Sequence, residues 1–364
     1  MAHLGEVAGV FLKVGTLGFG GPAAHVAMMR DEVVVRRQWV GEQEFLDALG
    51  ATSVIPGPGS TQMAIYLARR RAGWPGLVVG GACFILPAMC IVLALAWAYV
   101  EYGTTEIGRG LFYGITPVII GIVADAVLGL GRVAITRLHL ALLAALVVVG
   151  FALDVNVLVL LLGAGALELL ARTAHRWLPQ GPSALVPVVA GVALWDVFKE
   201  FLKLGAVIFG SGYVLVAFLQ GDLVERLHWL TPQQLVDAVS VGQITPGPVF
   251  TTATFVGYLV AGFWGGVVAT IGIFLPSFVL VAAFGWLIPL LRRTHWTAAV
   301  MDGINAAVIG LMVAVTAELG STAVVDLLTG MLAVGAFLVM ALRKPNFAWL
   351  ILVGAVAGLV HAWV

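Results

Sequence analysis

Apolar runs follow one another along the 364 residues with few polar interruptions, and they come in two lengths. The runs 73–100, 107–130, 138–153 and 155–171, and later 263–290, 296–320, 323–342 and 346–364, predict membrane-crossing helices, since about 20 helical residues cross a hydrocarbon core of ~30 Å. The runs 7–19, 43–55 and 59–68, and later 201–209, 233–245 and 249–260, are too short to cross alone. Mixed amphipathic segments, 22–40 and 213–230, sit between them. The short runs stop at glycine or proline: "GFGGP" with Gly20, Gly21 and Pro22, "FGSG" at 209–212, and two triplets, Pro56-Gly57-Pro58 and Pro246-Gly247-Pro248. Proline removes a backbone donor and clashes with the preceding turn, so each triplet ends one helix, and its second proline suits the start of the next. Broken helices at membrane depth need protein or a water-filled cavity around them.

The two sets of runs are one pattern written twice. Sliding the chain by 190 residues aligns 11–58 with 201–248 without a gap. Phe11-Leu12-Lys13 falls on Phe201-Leu202-Lys203, Gly15 on Gly205, Arg36 on Arg226, Trp39 on Trp229, Asp47-Ala48 on Asp237-Ala238, and one Pro-Gly-Pro on the other. With one residue deleted the match resumes, Leu86-Pro87 on Leu275-Pro276. Two homologous halves, 1–182 and 183–364, follow. Loop charge orients them, because basic residues of short loops stay in the cytoplasm. Arg69–Arg71, Arg132 and Arg137, Arg172 and Arg176, Arg292 and Arg293, and Arg343 with Lys344 all stay inside only if the halves face opposite ways. The loop equivalent to Arg69–Arg71 is "LVAGFWGG", which carries no charge and suits the outside. The expected fold is therefore an all-α polytopic membrane protein. Its halves form an inverted repeat with discontinuous helices broken at Gly-Gly-Pro and Pro-Gly-Pro.

Composition agrees: 61% of residues are hydrophobic and 10% charged, whereas soluble domains run near 45–50% and about 25%. The net charge of zero implies no nucleic-acid partner. No phosphate-cradling loop, HExxH or Cys/His spacing is present, so neither ATP drive, metal, cofactor nor enzyme chemistry is expected. Cys83 and Cys90 are about 10 Å apart along a helix axis, too far for a disulfide. The N-terminal stretch lacks a basic n-region and cleavage site, and is expected to remain on the protein.

Inverted repeats with broken helices are the architecture of secondary transporters, with substrate near the midplane against half-helix ends. After each triplet a helix N-terminus carries Gly59, Ser60, Thr61 and Gln62, or Val249 to Thr254. Orphan N–H groups and about half a positive charge collect there, which makes an anion site. Gly57, Ser60, Thr61 and Gln62, with Gly247, Thr251 and Thr252, are the expected contacts; the alternative is a kink whose hydroxyls bond back to the helix. Lys13 lies midway along an apolar run, where an ionised group costs ~3 kcal/mol or more, and Lys203 is its mate. Both are candidate anion ligands, or else snorkel to the interface. His25 is a candidate anion contact and proton carrier, and Arg30 a candidate oxyanion fork or an interfacial anchor. Asp47 and Asp237, at equivalent places, stand as proton carriers or as ion-pair partners of Lys13 and Lys203.

The stretches "FLKVGTLGFGGPAAHVAMMRDEVV", "EFLDALGATSVIPGPGSTQMAIYLARRRAG" and "FILPA", and in the second half "FLKLGAVIFGSGYVLVAFLQGDLV", "TPQQLVDAVSVGQITPGPVFTTATFVGYLVAG" and "FLPSFV", resemble the two halves of the chromate ion transporters. The resemblance covers nearly the whole chain. It implies a multi-pass inner-membrane protein that exports chromate and confers chromate resistance, and the expected drive is the proton or potential gradient, with protons and the bilayer as partners. Sulfate, equally tetrahedral and dianionic, is the natural competitor. Transport of another oxyanion, or an anion channel, remains the alternative, and a homodimer is an allowed assembly. Leu215 stands where the second half would repeat His25, so the halves are not equivalent there.

Overall fold

The computed structural model describes residues 2–18, 21–52, 56–103, 105–153, 155, 157–173, 193–208, 212–284, 295–343 and 347–363, and these contain no strand. The first half supplies α1 (Ala2–Leu17), α2 (Gly21–Arg30), a π-helical turn (Asp31–Arg36), α3 (Glu42–Thr52), α4 (Gly59–Tyr102), α5 (Glu106–Ala134), α6 (Leu138–Ala152) and α7 (Val157–Thr173). The second half repeats the order: α8 (Leu194–Val207), α9 (Gly212–Leu219), a π-helical turn (Gln220–Arg226), α10 (Pro232–Ile244), a 3₁₀ turn (Val249–Thr251), α11 (Thr252–Phe284), α12 (His295–Ala323), α13 (Leu327–Arg343) and α14 (Phe347–Trp363). Four stretches, Gly59–Tyr102, Glu106–Gly129, Val249–Ala283 and Asp302–Ala323, are long and apolar enough to cross a membrane. α6, α7, α13 and α14 are apolar and span 15 to 17 described residues. Leu142, Leu146, Val149, Leu338 and Val356 keep their side chains exposed, the pattern of a surface whose solvent is lipid.

α4 and α11 are helical hairpins. α4 turns at Ala72 and Gly73 (φ 65°), α11 at Ala261 and Gly262 (φ 66°), the left-handed backbone that glycine adopts at little cost. The limb 252–260 folds back on 263–284, so that the Thr254 and Thr270 hydroxyls meet at 2.7 Å; on one straight helix they would be about 24 Å apart. The first limbs, 59–71 and 252–260, are the expected half-helices. Small residues let the limbs touch: a Cβ on Gly265 would meet Ala261 Cβ at 2.7 Å, and one on Gly76 would meet Ala72 Cβ at 2.8 Å.

The long limbs of the hairpins pack on each other and run antiparallel. Gly266 lies against Leu93, Gly81 against Phe278, and Leu77 in one cluster with Val281. As residue numbers fall on α4 they rise on α11. At one end Arg69 donates to the Val281 and Ala282 carbonyls at 2.9 and 2.8 Å. Each long limb is also gripped by the first helix of its own half: Gly15 sits on the Phe84 backbone and Gly205 on that of Ile273. Phe11, Phe45, Met63 and Phe84 fill the first half's core, and Phe201, Phe218, Phe255 and Phe274 the larger core of the second. α12 packs against α5, α6 and α7 of the other half, and α14 closes on α5 through facing glycines, Gly110 and Gly114 against Gly354 and Gly358.

Candidate anion site

The two Pro-Gly-Pro turns cross at the contact between the halves. Gly57 (φ 118°) donates its N–H to the carbonyl of Ile208, at the end of α8, at 2.6 Å. Gly247 (φ 88°) donates to Gly18, at the end of α1, at 3.1 Å. Gly18 and Ile208 are equivalent under the 190-residue repeat, so each half's turn is tied to the first helix of the other. The surroundings correspond as well. A Cβ on Gly57 would lie 2.6 Å from Ser277 Oγ and 3.6 Å from the Gly205 carbonyl; one on Gly247 would lie 2.7 Å from Ala88 Cβ and 3.1 Å from the Gly15 carbonyl. Ser277 and Ala88 are themselves equivalent. Positive φ and lack of room both require glycine.

New helices start directly after these turns, with Pro58 (ψ 100°) and Pro248 (ψ 127°) as N-caps lacking a side-chain acceptor. No cap side chain takes up their first N–H groups, although the Thr251 N–H donates to the Pro248 carbonyl at 2.9 Å. The hydroxyls of the two starts behave differently. Thr251 Oγ1 donates back to Pro248 and Thr252 Oγ1 to Val249, each at 2.8 Å, which is the kink-type alternative. Ser60, Thr61 and Gln62 are buried; Thr61 Oγ1 and Gln62 Oε1 have no partner among the described residues, and Gln62 Nε2 donates to the Pro56 carbonyl. His25 is fully buried, 2.9 Å through Nε2 from the same Gly18 carbonyl that Gly247 uses. A carbonyl only accepts, so Nε2 carries the proton, and Nδ1, which has no partner among the described residues, is a bare lone pair until the ring is protonated.

Lys203 does not pair with Asp237, the ion-pair alternative that the sequence left open. Lys13 Nζ pairs with Glu32 at 2.5 Å, and Lys203 Nζ with Asp222 at 2.7 Å and Glu200 at 3.0 Å. The π-helical turns are the cause: they bring Glu32 and Asp222, equivalent acids, back over the first helix of their half. Arg37 and Arg36 also hold Glu32, at 3.2 and 3.5 Å, and Arg37 and Arg71 hold Glu6, at 3.3 and 2.8 Å. Arg226 closes the second set on Glu200 and Asp222, at 2.7 and 3.0 Å. Arg30 spends its fork on Glu42, 2.6 and 2.7 Å away, with both side chains about half exposed. The Asp47 side chain lies outside the described residues, as does Gly20; Gly21 and Pro22 fall in the first turn of α2.

Asp237 is buried but lines a cavity of about 310 Å³ with Tyr99, Arg109, Tyr113, Thr116 and Gln233. That is room for roughly ten waters. Tyr99 donates to Asp237 Oδ2 at 2.7 Å and Gln233 to Oδ1 at 3.0 Å. The cavity opens between the α4–α5 and α12–α13 turns, where Asp326 accepts from the Thr329 N–H and Tyr113, which hold its carboxyl down to about 2.

The chromate transporter family profile matches this chain twice, over residues 5–169 and 195–359, an offset of 190 at both ends. The chain belongs to the chromate transporter family. A chromate transport protein of Cupriavidus metallidurans is 35% identical over 96% of this chain and 91% of its own length. A probable chromate transport protein of Synechococcus elongatus is 34% identical, covering 96% and 93%. A chromate transport protein of Pseudomonas aeruginosa is 31% identical, covering 96% and 90%. No solved structure matches the chain. Membership and the four long apolar helices point to a multi-pass membrane protein, and membership points to a transporter rather than an enzyme.

Sequence reasoning on this family member missed Glu32, Asp222, Ser277 and Tyr99. Glu32 over Asp222 was the available signal, an acid over an acid in the repeat that a search for identities passes by. Ser277 over Ala88 and Tyr99 against Asp237 had none, since both depend on how the halves dock.

Proposed function

We propose that the protein is a secondary active transporter that exports chromate from the cytoplasm across the inner membrane and so confers chromate resistance, with the anion held near the midplane at the Pro-Gly-Pro crossing. The observation that carries this is the reciprocal tie of Gly57 to Ile208 and of Gly247 to Gly18, made between equivalent hairpins whose long limbs are antiparallel. Opposed limbs support halves of opposite orientation. Arg69, beside Val281 and Ala282, supports one cytoplasmic face for Arg69–Arg71 and this end of α11. The relatives' names supply the substrate.

The chemistry follows. A tetrahedral dianion offers four acceptor oxygens. Free N–H groups at two helix starts, each with about half a positive charge, replace part of its water shell. Lys13 and Lys203 lie roughly 7 Å along the axis before Gly18 and Ile208. They flank the crossing from the two sides and lead the anion in and out. Protonation of His25 adds a cation and a donor at the crossing. Asp237, at the base of the outer cavity, exchanges protons with that side, because an ionised carboxylate there repels a departing dianion. The two half-helices then alternate exposure by rocking of one half against the other.

The test is chromate accumulation in inverted membrane vesicles. Uphill accumulation that collapses with a protonophore is expected. Flux that only equilibrates would mean a channel, and no flux above protein-free vesicles would sink the transport reading.

A further inference from the structure

We infer that the crossing holds one oxyanion site, not two, and that Ser277 of the second half completes it. The inference rests on the oxyanion-transport reading above. Ser277 is fully buried on the long limb of α11, one residue after Pro276, and its Oγ has no hydrogen-bond partner among the described residues. It faces Gly57: the position a Cβ would take there is 2.6 Å from Ser277 Oγ and 2.6 Å from Gln62 Nε2. Two polar side chains from opposite halves thus bracket the turn that precedes the first-half helix start. On that start Thr61 Oγ1, also fully buried, is likewise unpartnered.

A buried hydroxyl without a partner destabilises a protein, and replacing it by an apolar group of like shape relieves that cost. The other half shows that this fold does not require the hydroxyl. Alanine stands at the equivalent position 88, beside Gly247, and the threonines of that turn satisfy themselves on Pro248 and Val249. The hydroxyls near Gly247 are therefore occupied, while those near Gly57 are vacant donors beside a helix N-terminus. A tetrahedral oxyanion, which only accepts, fits them. Gln62 is oriented by the Pro56 carbonyl, so its Oε1 is an acceptor and suits a water that stays with the anion.

The test measures transport and binding together. Inverted vesicles give KM and maximal rate for chromate, and titration of purified protein with chromate gives Kd. Ser277→Ala is expected to raise both KM and Kd about tenfold, the usual size for a lost hydrogen bond to a charged group, with the maximal rate less affected. Its Tm without chromate is expected to rise by about 2 °C, because an unsatisfied hydroxyl has gone; a merely structural serine would move Tm the other way. Ser277→Thr restores wild-type KM. Ala88→Ser, the mirror substitution, leaves KM within twofold. KM and Kd for Ser277→Ala within twofold of wild type overturn the inference, as does an equal loss in Ala88→Ser. If wild-type vesicles accumulate no chromate while Ser277→Ala still raises Tm, the transport reading has failed rather than the account of this hydroxyl.

Discussion

Gly57 and Gly247 sit in equivalent turns, and both reach across to the first helix of the other half. Around Gly247 the hydroxyls are consumed locally: Thr251 and Thr252 bond to the turn itself, and Ala88 offers nothing, although Gln243 keeps a buried Nε2 without a partner among the described residues. Around Gly57, Thr61, Gln62 and Ser277 keep polar atoms that the described residues do not satisfy. His25 reverses the bias, since it belongs to the Gly247 side and its counterpart is Leu215. The duplicated backbone is thus a symmetric frame carrying unequal chemistry. Backbone ties and glycine contacts are preserved in both copies because each copy needs the other's carbonyl. Side chains facing the gap are not bound by that requirement and have diverged.

The strongest way to break the comparison is at the frame, where the two copies should fail alike. Gly57→Ala and Gly247→Ala each force a Cβ into a contact of 2.6 or 2.7 Å at positive φ. Both are expected to abolish chromate accumulation, with a destabilisation of about 1–2 kcal/mol or more each; full activity in either would show that the crossing does not need to close. Asp237→Asn comes next. Stimulation by an imposed pH gradient should fall at least fivefold while membrane insertion holds, and an unchanged response would remove Asp237 from the proton path.

The side chains should separate the copies. Thr61→Val is expected to raise the chromate KM about tenfold, whereas Thr251→Val, which loses only a bond to its own turn, stays within about twofold. Equal effects would return the two starts to equivalence. The smallest difference is in the ion pairs. Lys203→Ala leaves Glu200 and Asp222 with Arg226 alone, while Lys13→Ala leaves Glu32 with Arg36 and Arg37. With both lysines partly exposed, Lys203→Ala should cost about 1 kcal/mol and Lys13→Ala less, which thermal unfolding of the purified variants would resolve.

Much of the frame was legible in the chain. Apolar runs placed the helices to within a few residues, as for 107–130 against Glu106–Ala134. The Pro-Gly-Pro triplets lie between short helices as expected, and the repeat offset returns in the family match. The hairpins were half legible: sequence separated 59–68 from 73–100, and Gly73 marks the reversal, but no periodicity tells a kink from a fold-back. Lys13 stood out as a charge in an apolar run. Its contact with Glu32 was missed because it depends on a π-helical turn that local pattern does not encode. The asymmetry of the crossing was hinted at by "GSTQ" against "VFTT". That Thr61 would stay vacant and Thr251 would not depends on side-chain rotation, which sequence does not encode.

The exchange of hydrogen bonds between the turns also bears on how the chain is made. Gly57 leaves the ribosome well before Ile208, and at ~5–20 residues per second the interval is on the order of ten seconds. Over that time the first half must wait in the bilayer with a turn whose N–H has no native acceptor, in a solvent that supplies none. Assembly is therefore decided late, when the end of α8 arrives and both turns can close. Translation that pauses or stops between the halves should leave an inserted but open intermediate, one that membrane quality control can recognise.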